Sequence, residues 1–148
     1  MNIVLTKHQF NKKNIYFYEP IENTIIENSK FIKIIYSNEH LILNGLFILL
    51  NLNIKNIENY FKKVKLNYDI QENKDILYNI YQIEREILNS YEKSCKKKIY
   101  NIFETLNTGY IKIYPINDST IENIILKISG IWESESEYGL TFKFLTIS

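Results

Sequence analysis

The sequence predicts an α+β fold: a mostly antiparallel β-sheet with a helical block inserted between strands. Three observations lead there. Before Asp69, β-branched and aromatic runs lie between short polar turns, which is the composition of strands. From Asn73 the apolar spacing changes to three and four, the period of a helix. After Gly109 the strand pattern returns. Strands, then helix, then strands is the order of an α+β chain. The 148 residues fit one domain over 1–148, long enough to bury a core without cross-links.

Each element can be read in turn. Ile3 and Leu5 alternate with polar neighbours, "HQFNKKN" reads as a turn, and "IYFYEP" is a strand stopped by Pro20. "IENTIIENSK" is a polar connection. "FIKIIYS" and "LILNGLFILLNL" flank "NEH", which predicts a hairpin, and Gly45 predicts a bulge or a close backbone approach. In "NIENYFKK" the spacing of Ile54, Ile57, Phe61 and Val64 predicts a short helix. "VKLNYDI" alternates again. Asn73 is placed to cap a helix, with Asp75 in its first turn, and Ile76, Ile80, Ile83, Ile87 and Tyr91 form one stripe. Neither Gly nor Pro interrupts 73–108, so one long helix and two shorter ones both fit. "YIKIY", a turn at "PINDS", "IENIILKISGIW" and "GLTFKFLTI" complete the chain. A helical block between strands also suits an oligonucleotide-binding (OB)-like barrel. A small sandwich fits too.

The net charge of +1 gives no global field toward nucleic acid or membrane, so any basic surface is local. The most apolar stretch, residues 41–52, is too short to span a bilayer, and the start has no secretory core; no membrane partner is expected. A single cysteine, Cys95, excludes an internal disulfide and fits a reducing compartment.

Catalytic patterns are absent from the sequence. His8 and His40 fall in turns, and four glycines supply no phosphate-cradling loop. Cys95 beside Lys93 and Lys96–Lys98 reads as a half-buried helix cysteine near a basic turn. Glu133, Glu135 and Glu137 read as a charged hairpin tip rather than a metal site. Hence no catalytic residues, no metal and no cofactor are expected, and the chain is not read as an enzyme.

The aromatics carry the binding signal: 12 Tyr, 8 Phe and 1 Trp, many beside lysines on strands. Rings stack bases while lysines meet phosphates in single-strand binders. Tyr110, Lys112 and Tyr114 share one face of "YIKIY", opposite Ile111 and Ile113, and are the first candidate site. Tyr16, Tyr18, Lys33 and Lys143 are further candidates. Leu140, Phe142 and Phe144 share a core face with Lys143 pointing out. Ile124, Leu126, Ile128, Gly130 and Trp132 are in phase, so Trp132 is expected in the core, with Gly139 supplying a turn or bulge.

"NSKFIKIIYSNEHLILNGLFI" and "ILKISGIWESESEYGLTFKF" resemble small proteins of nucleocytoplasmic large DNA viruses, the giant viruses. The second stretch, with Gly130-Ile131-Trp132 and Tyr138-Gly139-Leu140-Thr141, is also similar to the closing hairpin of viral OB-fold single-stranded DNA-binding proteins. That resemblance implies DNA binding during replication or recombination, and a place in the host cytoplasm or the virion. The chain departs from such proteins in ending on "FLTIS" without an acidic tail. The expected partner is single-stranded nucleic acid. The alternative is other viral proteins, with this chain a minor capsid or scaffold component; self-association into a homo-oligomer is compatible with both.

Overall fold

The computed structural model describes residues 4–6, 8–25, 27–93, 95–114 and 123–147. A 3-10 turn at Lys12–Asn14 leads into β1 (Ile15–Phe17), followed by β2 (Ile21–Glu22), β3 (Lys30–Ser37) and β4 (Ile42–Asn44). Then come β5 (Leu46–Leu50), β6 (Ile54–Tyr60), β7 (Lys63–Tyr68) and α1 (Lys74–Tyr91). The order ends with β8 (Lys97–Ile99), α2 (Asn101–Leu106), β9 (Tyr110–Ile113), β10 (Asn123–Glu133) and β11 (Glu137–Ile147). The chain is α+β and OB-like: mostly antiparallel strands, a sheet curled into a half-barrel, and helices between strands. β6, β7 and β9 form a separate three-stranded sheet; the other eight strands form the curled one.

Strand β10 organises the curl. It pairs with β11 along its length, with β5 over its first part (Leu126 opposite Ile48) and with β3 over its second (Ile131 opposite Ile32). The change of partner falls at Ser129. Ile128 faces Phe142 and Gly130 faces Thr141, so Ser129 is an extra residue, a β-bulge. Gly45 lies against the same point. Its φ is +102°, and a Cβ there would sit 3.0 Å from the Ile128 carbonyl oxygen. The close approach read from Gly45 is therefore present, and it separates β4 on β3 from β5 on β10.

Both sheets close on one core. α1 buries Ile76, Leu77, Ile80, Ile83, Ile87 and Leu88 against it. Leu66, Ile111, Ile128 and Leu140 join from the strands, and Phe142 and Phe144 pack on its margin. Each fully buried aliphatic side chain contributes about 1.5–3 kcal/mol. The Tyr68 hydroxyl donates to the Leu106 carbonyl, tying the end of α2 to β7.

Several expectations are corrected. Residues 54–64 are a hairpin, not a helix. A helix there must bury Ile54, Ile57, Phe61 and Val64 together, yet Ile57 and Phe61 are 51% and 88% exposed. Ladder pairing of β7 with both β6 and β9 outweighs the local spacing, and Lys62 makes the turn at φ +65°. Of the two readings open for 73–108, two helices is the one found, because Lys97–Ile99 leaves to pair in parallel with β11. Asn73 stands at the N-cap but makes no cap bond. Its carboxamide accepts from the Asn53 N–H at 2.7 Å and donates to the Asp69 carbonyl at 2.8 Å, holding the β5–β6 connection. Cys95 is exposed in a turn and lies outside both helices. Trp132 is only half-buried, because the bulge reverses the phase and sends Ile131 inward instead. Gly139 is a mid-strand residue opposite Trp132, not a turn. The expectations for Ile3 and for "PINDS" lie outside the described residues.

Candidate nucleic-acid interface

The three-stranded sheet has two unlike faces. Val64, Leu66, Ile111 and Ile113 are 7%, 0%, 1% and 1% exposed and face the core. Period-two alternation then sends Lys63, Lys65, Tyr110 and Lys112 to the other side. Tyr114, just past β9, is 70% exposed. Tyr110 and Lys112 thus share the outward face, opposite Ile111 and Ile113, as the alternation in "YIKIY" leads one to expect.

The outward face has an arrangement that folding alone does not favour. Lys65 stands directly opposite Lys112 in the β7–β9 register. Like charges so placed repel and destabilise a sheet. Both lean over Tyr110, with ammonium groups 4.3 Å and 5.8 Å from the ring centre. Lys63 stands 5.7 Å from the Tyr60 ring centre. Glu58 is the one carboxylate on these strands. It meets Lys65 at 3.7 Å and accepts from Asn67 Nδ2 at 3.1 Å. Three lysines against one glutamate leave the face positive. Tyr110 already has cations on it, whereas Tyr114 has no lysine over its ring among the described residues.

The remaining candidates sit on the curled sheet. Tyr16 and Tyr18 are 56% and 51% exposed, and Lys33 lies over the Tyr18 ring at 5.5 Å. Lys143 is exposed and stands opposite Lys127, a second like-charged pair in register. Thus the seven candidates divide between two faces: Tyr110, Lys112 and Tyr114 on one sheet; Tyr16, Tyr18, Lys33 and Lys143 on the other. Reading residues 54–61 as a helix hid Tyr60 as a neighbour of this face. The alternation in "VKLNYDI" was the signal for Lys65.

Among the described residues, the buried glutamates are paired within the fold, whereas the Asn101 Oδ1 is buried without a hydrogen-bond partner. Glu133 points inward, contrary to its reading as part of a solvated tip, because it follows the bulge. Its carboxylate accepts from the Tyr91 hydroxyl and from Lys96 Nζ, each at 2.6 Å. Burial alone raises its pKa, but the Lys96 and Tyr91 bonds outweigh that and hold it below the ordinary value. Glu84 is fully buried on α1 and accepts the Ile102 and Phe103 N–H groups at 2.9 and 3.0 Å, capping α2 from outside. Desolvation pushes its pKa up to about 7 against those bonds. His8 and His40 are exposed in turns. Among the described residues no three His, Cys, Asp or Glu side chains group to hold a metal.

No helix of the described residues is long and apolar enough to cross a membrane. Comparison with protein-family models, curated proteins and solved structures finds no match to this chain.

Proposed function

We propose that this chain binds single-stranded nucleic acid, without catalysis, on the outer face of the β6–β7–β9 sheet. The observation that carries the reading is Lys65 opposite Lys112, both beside Tyr110. An anion between the two ammonium groups relieves their repulsion, and a base attached to it reaches the open Tyr114 ring. Phosphate and base are joined in a nucleotide chain, so one ligand meets both features. The resemblance to viral single-stranded DNA-binding proteins gives the reading its setting in replication or recombination.

The alternative, a virion component docking through apolar strands, needs "LILNGLFILL" on the surface. There Leu43, Leu46, Phe47, Ile48 and Leu50 are buried, and Ile42 is the one apolar residue of the run largely exposed, at 73%. That favours the nucleic-acid reading. The test is binding of labelled oligo-dT at two salt concentrations. Affinity is expected to fall as salt rises, because phosphate contacts release counterions. Absence of salt-sensitive binding to any single strand overturns the proposal.

A further inference from the structure

We propose that the outer face of the curled sheet is a second single-strand site, with Phe31 and Trp132 as its base-stacking platforms. The proposal rests on the nucleic-acid reading above but on a different surface. Its geometry follows from the bulge at Ser129. Past it, Trp132 lies beside Phe31 on β3 and Gly139 on β11, and Gly130 lies beside Lys33. Both glycines are covered by rings. A Cβ on Gly130 would meet the Ile32 carbonyl oxygen at 2.3 Å and the Phe31 Cζ at 2.7 Å, and one on Gly139 would meet the Trp132 Cζ2 at 2.8 Å. The rings therefore reach over glycine backbone, Phe31 over Gly130 and Trp132 over Gly139. Both residues are half-buried, so each is supported by the sheet and keeps part of its surface in solvent. A flat ring supported from below is what a base stacks on.

The charge of this face selects the ligand. On β3, β5 and β10 its charged side chains are Lys33 and Lys127. β11 adds Lys143, and also Glu137 at its far end, in register with Lys97. Lys127 stands opposite Lys143 and lies over Phe47 at 5.5 Å, repeating the lysine pair and ring of the other sheet. Lys33 over Tyr18 extends the same pattern toward β1. A neutral apolar partner leaves the Lys127–Lys143 repulsion in place; a phosphodiester chain relieves it. A purely structural role, in which the rings only shield glycine backbone, requires no cations around them.

Trp132 is the chain's only tryptophan, so its emission reports on this face alone. Unlabelled oligo-dT is titrated while Trp132 fluorescence is followed, and a labelled copy gives total binding by anisotropy. Quenching that tracks anisotropy is expected. Phe31→Ala is expected to weaken the quenching midpoint by roughly 5- to 150-fold, the loss of one stacked base. Tyr114→Ala should leave the quenching in place. Anisotropy that rises while Trp132 emission stays constant overturns this site and leaves the three-stranded sheet as the binder. No rise and no quenching overturns both. Emission that changes with protein concentration, without any oligonucleotide, means a second copy covers the face and also overturns the proposal. If Phe31→Ala does not fold, the wild-type titration still decides.

Discussion

Strands β9 and β10 both put one side in the core, but they keep phase differently. β9 holds a single alternation: Ile111 and Ile113 in, Tyr110 and Lys112 out. β10 changes sides at Ser129. Ile124, Leu126 and Ile128 point in before it; Ile131 and Glu133 point in after it. The difference shows how a sheet can be bent and re-aimed by one residue. β9 needs no bend, because among the described residues it pairs with β7 alone. β10 serves β5 and β3 in turn, and the bulge supplies the local twist that lets it reach both. The same step turns Trp132 outward and brings Glu133 within reach of Lys96.

The largest effect tests that change of phase directly. Ile131→Ala should cost about 2–5 kcal/mol, as much as Ile128→Ala, although a regular strand places positions 128 and 131 on opposite faces. Trp132→Ala should cost less than Ile131→Ala, despite removing a larger side chain. Urea midpoints of the three variants decide it. A cheap Ile131→Ala beside a costly Trp132→Ala means β10 runs in one phase and the bulge is absent.

The sequence was legible where each residue advances the strand by one step. "YIKIY", "VKLNYDI" and "GLTFKF" were all placed on the correct faces by alternation. Gly45 announced its close approach because little else explains a glycine inside an apolar run. Two things were not legible. Ser129 carries no mark of being an extra residue; the bulge exists because β10 must change partners, and partners are a long-range fact. Residues 54–64 have helical spacing, but their neighbour β9 arrives from the far side of both helices. For the candidate site, alternation assigns Tyr110 and Lys112 to one strand face, but it carries no sign that the seven candidates divide between two sheets.

The two buried glutamates sharpen the comparison through pH. Glu84 has a raised pKa, about 7, so the native state holds its proton more tightly than the unfolded chain. Its effect is that stability falls as pH rises from about 4.5 to about 7, by roughly 3 kcal/mol, and is flat outside that window. Glu84→Gln should remove this slope. Glu133 has a lowered pKa, so its stabilisation is present above the ordinary carboxylate range and is lost as pH falls through and below it. Glu133→Gln should remove that acid loss and cost about 1–3 kcal/mol at neutral pH, since Lys96 then lacks its anion. Unfolding midpoints between pH 3 and 8 separate the two, the window being about that wide on either side of their titrations. Parallel pH profiles in both variants and wild type contradict both assignments.

Smaller effects belong to the β9 face. Tyr114→Ala should weaken oligo-dT binding by about 1–3 kcal/mol and change stability by less than about 0.5 kcal/mol, because the ring is exposed and the core side of β9 is untouched. Tyr110→Ala should cost less binding, since Lys65 and Lys112 already occupy that ring. A fall in melting temperature with Tyr114→Ala, without loss of binding, makes the ring structural.

The smallest effect is the most specific. Lys112→Ala removes one cation from the Lys65–Lys112 pair. If the pair holds a phosphate, the slope of log affinity against log salt should become shallower by about 0.7, the value for one contact on a single strand. The fold should be slightly steadier, because the like-charged neighbour is gone. These two results pull in opposite directions only when the pair is kept for a ligand. A lysine that merely solvates the sheet changes neither the salt slope nor the affinity. A lysine that supports the sheet lowers stability when removed. Measuring the salt slope and the urea midpoint on one Lys112→Ala sample therefore distinguishes the three roles, and an unchanged slope removes Lys112 from the interface.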